Sequence, residues 1–273
     1  MQPPLQKALK FILITLSFLM IASQSYSESI SLKLPKYEDA SHLYYYDLIR
    51  QSLEQIGITA TIINTTHNIP QKRAVFMLNK NKIDGLWLIQ SKQRDNQYSS
   101  AAVGLTNGLI GKRVFFIPKG DQKKYSQVSS LEDFKQLNLS GAFGKNWFDV
   151  MIWKQNRLNC ITIDGNWRTI YTRVARKVPG YDYFSRGINE IVLEAKAHPE
   201  LEIEERLLFI YDRDFQLYLG QSASQYKDLL HKALMNAKKS GLMEKLIRKH
   251  WSEVYSKMNL DKRIKIRLEL PDS

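Results

Sequence analysis

The segment Gly144-Lys145-Asn146-Trp147-Phe148 lies where an apolar stretch hands over to an amphipathic one, the pattern of a strand feeding a helix. The first amide groups of a helix have no internal partner and attract anions. In that setting Asn146 caps the helix, Lys145 adds positive charge and Trp147 covers a ligand; the alternative is a capped turn with Trp147 packed between two bodies. Tyr37 and Trp87 stand near the ends of predicted strands, where aromatic side chains commonly wall a binding cleft. For Trp87 core packing is the other reading. This is the chemistry of non-covalent capture. Signatures of catalysis do not accompany it. The five histidines, His42, His67, His198, His231 and His250, are scattered without metal-ligand spacing. There is no Gly-x-Ser-x-Gly elbow, phosphate-binding Walker loop or Gly-x-Gly-x-x-Gly fingerprint. The single cysteine, Cys160, falls in an apolar strand and reads as a small hydrophobe. Neither enzymatic activity nor a metal or other cofactor is expected.

Short strands alternate with amphipathic helices along the chain, which defines an α/β protein. Ile30–Leu34 alternates apolar and polar, and Pro35 ends it. Tyr45, Leu48, Ile49, Leu53 and Ile56 recur at helical spacing before Gly57. Ile58–Ile63 is the next strand, Gln71–Asn79 a helix and Ile83–Ile89 a buried strand. That order implies a parallel sheet. Ser91–Asn107 is turn-rich. A second unit opens with the apolar strand Arg113–Ile117, and Ser130 with Asp133 forms a capping-box variant. Strands at Leu137–Phe143, Cys160–Ile163, Tyr181–Phe184, Leu207–Tyr211 and Phe215–Leu219 alternate with helices at Phe148–Asn156, Trp167–Arg176 and Ile188–Ala197. Two helices around Tyr226–Ala237 and Leu242–Trp251 close the chain, and the charged tail after Asn259 is expected to be loosely held.

Lys7 and Lys10 precede an apolar run, Phe11–Ala22, and the small-residue stretch Ser23–Ser27. The run is shorter than the roughly 20 residues that span a bilayer. It reads as a signal peptide cut after Ser27, the alternative being a single anchoring helix. No cysteine ends the run, so no lipid anchor is expected. Forty Lys and Arg against 27 Asp and Glu give a net charge of +13. On an exported chain that excess serves solubility and anionic ligands rather than nucleic acid. A periplasmic location follows.

Four segments carry a resemblance to a known family. They are Tyr44–Arg50 ending at Gly57; Lys82-Ile83-Asp84-Gly85-Leu86-Trp87 with Arg94 after it; Ser130-Leu131-Glu132-Asp133-Phe134 followed by Gly141–Trp147; and Tyr181–Glu190. In this order they resemble the type II periplasmic solute-binding proteins, family 3, the amino-acid-type substrate-binding proteins of ABC transporters. The resemblance spans about Ile30 to Trp251. It implies a two-lobe type II fold, with two crossing hinge strands and a ligand cleft between the lobes. The lobes would divide as residues 28–114, then 115–215, with a return over 216–262 and a loose tail at 263–273 after the 1–27 signal peptide.

The resemblance also assigns roles. Arg94 matches the arginine that clamps a ligand carboxylate in related binders, although the Ser/Thr-rich run before it is reduced to a segment containing Ser91 and is about two residues shorter. A solvated surface arginine is the other reading. Related binders often place an acid near Arg186 to hold an ammonium group; here Ser185-Arg186-Gly187 stands instead. Arg186 then either meets a second anionic group of the ligand or forms an internal salt bridge to Glu190 or Asp182. The expected ligand contacts are Tyr37, Trp87, Ser91, Arg94, Lys145, Asn146, Trp147, Ser185, Arg186 and Glu190. The expected partners are a small polar solute and an inner-membrane permease or sensor, with the protein a monomer. A stand-alone sensor and a periplasmic dehydratase on the same fold are the competing functions, the latter needing Glu190 or Asp182 as its acid or base.

Overall fold

A computed structural model describes residues 28–37 and 42–271. The signal-peptide segment 1–27 lies outside them. Among the described residues no helix is long and apolar enough to cross a membrane.

The first lobe is built from β1 (Ser29–Lys36), α1 (Leu43–Glu54), β2 (Thr59–His67), α2 (Gln71–Asn79) and β3 (Gly85–Ile89). In β1 the side chains of Ile30, Leu32 and Leu34 are buried while Ser29, Ser31 and Lys33 face water. That alternation sets its pairing with β2, which is parallel, as the β-α-β order requires. β3 is attached to β1 through Asp84, whose N–H donates to the Lys33 carbonyl and whose carboxylate accepts from the Lys33 N–H, each at 2.7 Å. On its other side β3 pairs antiparallel with β11 (Phe215–Leu219), so this part of the sheet is not parallel. α1 buries Tyr44, Tyr45, Leu48, Ile49 and Leu53 in the lobe core and gives way to Gly57 at φ +82°. The turn-rich stretch contains a helix, α3 (Lys92–Gln97), and a two-residue strand, β4 (Ser99–Ser100), on the far edge of β11.

The second lobe holds β5 (Lys112–Pro118), α4 (Leu131–Gln136), β6 (Gly141–Gly144), α5 (Phe148–Gln155), β7 (Cys160–Ile163), α6 (Thr169–Ala175), β8 (Tyr183–Gly187), α7 (Ile188–Ala197), β9 (Leu201–Ile203) and β10 (Leu207–Ile210). The capping box of Ser130 and Asp133 opens α4. β5 is central and buried on both faces through Val114, Phe115, Phe116 and Ile117. α8 (Lys227–Lys239) and α9 (Leu242–Lys257) then pack on α1.

The tail is a correction. Ile264–Arg267 forms β12, parallel to β10 at the edge of the second sheet. Arg263 anchors it, its buried guanidinium donating to the carbonyls of Met258, Glu204 and Leu207. Ile266 and Leu268 fill the core beneath. The alternation of Ile264, Ile266 and Leu268 is masked in sequence by the charges between them.

The chain crosses between lobes twice, between Ser100 and Lys112 and between Ile210 and Phe215. Asp214 ties the crossings together: its buried carboxylate accepts from the N–H groups of Thr106, Gly108 and Phe215 and from the Thr106 hydroxyl. A Cβ on Gly111 would sit 2.3 Å from the Tyr211 carbonyl oxygen and 2.7 Å from that of Arg213. Only glycine lets the two segments approach so closely. Gly111→Ala is expected to cost about 1–3 kcal/mol through overpacking, measured by urea unfolding. A variant as stable as the parent would show that the crossing has room to yield.

Candidate functional site

Between the lobes lies a cleft of about 90 Å³. The first lobe contributes an aromatic wall. Tyr37 stacks on His42 with ring centroids 4.2 Å apart, and Trp87 stacks on Tyr45 at 4.8 Å. The Trp87 indole N–H donates to His42 Nδ1 at 3.0 Å. Trp87 is therefore both core and wall: it is buried, and one edge reaches the cleft.

Arg94 stands beside this wall because of a local device. Ser91 caps α3, its hydroxyl accepting the Arg94 N–H at 3.3 Å. The cap turns the Arg94 side chain back over the end of β3, where one guanidinium nitrogen donates to the Ile89 carbonyl. Ser91 lies in an adjoining groove rather than in the cleft, so it positions Arg94. Burial lowers the Arg94 pKa, with nearby tyrosines and Asp149 opposing that shift. No carboxylate among the described residues is within ion-pair distance of Arg94. It is not a solvated surface arginine.

The second lobe contributes a buried network of charges. Arg113, on β5, lies 3.0 Å from Asp149 and 3.8 Å from Glu190. It also donates to the Ile110 and Ser185 carbonyls. Asp149 accepts from the Tyr211 hydroxyl at 3.0 Å. β8 starts two residues and ends three residues later than the sequence pattern placed it, because its ladder with β5 aligns Val114 with Arg186 and Phe115 with Ser185. Arg186 is thus on the strand, and Asp182, before it, holds the Ser140 N–H outside the cleft. The salt-bridge reading of Arg186 holds for Glu190, at 3.1 Å, and not for Asp182; Glu194 joins it at 2.8 Å. The Arg186 guanidinium is also covered by the rings of Trp147, Trp167 and Phe184, at 5.2, 5.1 and 5.3 Å. Burial opposes its charge, but Glu190 and Glu194 outweigh that and raise its pKa. Glu190 accepts the Gly187 N–H at 3.0 Å. Its own pKa is raised, first by burial, with Arg186 pulling the other way.

Other expected contacts fall elsewhere. Ser185 is fully buried behind the cleft, its hydroxyl accepting from Arg113. Asn146 does not cap α5: it adopts φ +71°, and Trp147 takes the N-cap position without a side-chain bond. Asn146 instead accepts from the Gln71 side chain through its carbonyl, at 3.2 Å. Lys145 pairs with Asp164 at 3.1 Å, and Lys72 of the first lobe reaches the same carboxylate at 3.0 Å. Both residues therefore line the adjoining groove and join the lobes at its rim. Of the expected set, Tyr37, Trp87, Arg94, Trp147, Arg186 and Glu190 line the cleft. His42, Arg113, Asp149 and Trp167 line it too and were not anticipated. An arginine opening the apolar strand Arg113–Ile117 was the available signal for Arg113: such a charge must find a buried partner.

The raised pKa of Glu190 has a measurable consequence. Its folded value lies above its unfolded one, so its contribution to stability is present at low pH and is lost as pH rises through the folded value. As the pH falls from neutrality toward the ordinary carboxylate range, acidification should therefore stabilise the parent relative to Glu190→Gln in urea melts. Parallel pH profiles for the two would contradict a raised value.

No family model and no curated protein matches the sequence. Solved structures do. An amino acid ABC transporter substrate-binding protein from Streptococcus pneumoniae bound to L-arginine aligns with a TM-score of 0.58 at 14% identity, covering 86% of this chain and 97% of that one. An ancestral arginine-binding protein bound to glutamine gives 0.59 at 14% identity, with 81% and 97% covered. The GluR0 ligand-binding core from Nostoc punctiforme in complex with L-glutamate gives 0.55 at 15% identity, with 82% and 98% covered. At these identities the likeness is one of fold, and with the paired sheets, the double crossing and the cleft it establishes that this chain has the two-lobe fold of the type II periplasmic binding proteins.

Proposed function

We propose that the chain is a solute-binding protein that captures a small carboxylate-bearing solute between its lobes and delivers it, from the periplasm, to an ABC-type transporter of the inner membrane. The observation that carries this reading is Arg94. It is a half-buried guanidinium with no carboxylate partner among the described residues, and it faces a cleft walled by aromatic rings. A guanidinium presents a planar fork that matches a carboxylate in two parallel hydrogen bonds. Structural neighbours are amino acid ABC transporter substrate-binding proteins, which supports transport as the setting. The protein acts as a monomer, opening and closing about the two crossings.

In this reading Tyr37, Trp87 and Trp147 provide the walls. Ser91 orients Arg94. Arg186 and Glu190 satisfy each other and set the charge of the second lobe rather than gripping the ligand. Lys145 and Asn146 act at the rim, where Asp164 and Gln71 already bridge the lobes. The role in this reading is binding rather than turnover: Asp149 and Glu190, the carboxylates that line the cleft among the described residues, are each paired with a buried guanidinium.

A thermal-shift and calorimetric panel of amino acids, monocarboxylates and dicarboxylates tests the proposal. A ligand at about 100 times its Kd should stabilise the protein by about 2.7 kcal/mol. Arg94→Ala should weaken that ligand by about 30-fold or more, the loss of a charge-assisted fork worth about 2 kcal/mol. The absence of any binder across the panel would overturn the solute-binding reading.

A further inference from the structure

Away from the two crossings, the lobes meet at the rim of the groove beside the cleft. Gln71, the first residue of α2, donates through its side-chain amide to the Asn146 carbonyl at 3.2 Å. Lys72, next to it, lies 3.0 Å from an oxygen of Asp164, and Lys145 reaches the same oxygen at 3.1 Å. Gln71, Lys72, Lys145 and Asn146 all line the groove. The second lobe fixes its side of this contact without help from the first. Lys145 and Asp164 directly follow β6 and β7, whose parallel ladder ends at Gly144 and Ile163. The Lys145 N–H then donates to the Ile163 carbonyl at 2.8 Å, so the two loops are tied together.

The charge at this contact has one deciding member. Two ammonium groups that share a carboxylate oxygen are close neighbours, and like charges at short range repel. Among the described residues no second carboxylate lies within ion-pair distance of Lys72 or Lys145. Asp164 therefore decides whether the rim attracts or repels. Hydrogen bonds from Lys72 and Lys145 hold its pKa below the ordinary carboxylate range, so it is ionised at neutral pH. All three side chains are about half exposed, so dissolved salt reaches and screens them. Exposed pairs of this kind add little to the stability of a fold. Lobe closure is a different quantity: it is a balance between two arrangements of the same folded chain, where a small free energy is a several-fold change in population.

We propose that Asp164, clasped between Lys72 of the first lobe and Lys145 of the second, is an electrostatic latch that sets the balance between the closed and open arrangements of the lobes. The Gln71 bond to Asn146 fixes where the two rims meet, and Asp164 supplies the attraction. The hinge is the pair of crossings at Asp214 and Gly111. The latch is made entirely of the chain's own groups and acts whether or not a solute is bound. This inference goes beyond the solute-binding reading and does not depend on it.

The experiment is small-angle X-ray scattering of the purified, exhaustively dialysed protein at about 0.01 M and about 1 M NaCl, between which the screening length falls from about 30 Å to about 3 Å. The parent should be the more compact at low salt and should expand as salt weakens the latch. Asp164→Lys replaces the attraction with repulsion. Its ratio of closed to open molecules at low salt should fall by about fivefold or more, and added salt should make it contract. Asp164→Asn should lie between the two. Exchanging the charges in the double variant Lys72→Glu with Asp164→Lys restores opposite signs across the gap and should return the parent's dimensions. The opposite sign of the salt response, and its rescue by the exchange, are readouts that local damage at the rim would not produce. Equal dimensions and equal salt responses in the parent and Asp164→Lys overturn the inference, and so does an expansion that the double variant fails to reverse. Neither result touches the solute-binding reading, which the ligand panel tests separately.

Discussion

The second lobe's side of the cleft is built on a buried charge network that has to balance. Arg113 and Arg186 sit on neighbouring strands, β5 and β8, with almost no exposure. Guanidiniums cannot shed their protons, so each must be met by a carboxylate where it stands. Asp149 from the first turn of α5, and Glu190 and Glu194 from α7, do so. The strands and both helices are thereby locked together at the floor of the second lobe. Such a network adds little net stability over an apolar core, but removing one member is expensive, and this makes the geometry hard to change. It also engages Asp149 and Glu190, the carboxylates that line the cleft among the described residues.

The first lobe is assembled differently. Its wall is aromatic, with Tyr37, His42, Tyr45 and Trp87 in mutual contact, and the half-buried Arg94 is placed beside it by a short capped helix rather than by an ion pair among the described residues. The two lobes bring unlike halves to the same space. One presents buried arginines paired with carboxylates, and the other presents an aromatic wall with Arg94 beside it. The crossings that relate them converge on Asp214, which gathers three backbone N–H groups and a hydroxyl, and on Gly111, where a side chain cannot fit. A small region thus governs how the lobes meet, while Lys72, Asp164 and Lys145 join them at the rim.

Much of this was legible in the order of residues. Alternation in Ile30–Leu34, the helical spacing of Tyr45 to Leu53, the capping pair Ser130 and Asp133, and the apolar run of β5 each follow from local physics that needs no tertiary context. The α/β character and the two-lobe arrangement follow from them and from the four segments that resemble binding proteins of this fold. Arg94 and Arg186 stood out through that resemblance, with Glu190 and Asp182 as the possible partners of Arg186.

What tertiary structure decided is which of those groups remain available. Sequence spacing left Arg186 open to a ligand or a salt bridge; the pairing of β8 with β5 carries it beneath Trp147 and Trp167 and against two glutamates. Asp149 and Glu190 could not be connected with Arg113 from the chain alone, because their contacts span 36 and 77 positions and arise only when the sheet forms. The tail showed the same limit: its alternating apolar residues are sufficient for a strand only where β10 offers an edge and Arg263 finds three carbonyls. Residue type and local spacing determine the elements and the candidate charges. Long-range packing determines their partners, since the cost of burying a charge is settled by what surrounds it and not by its neighbours in sequence.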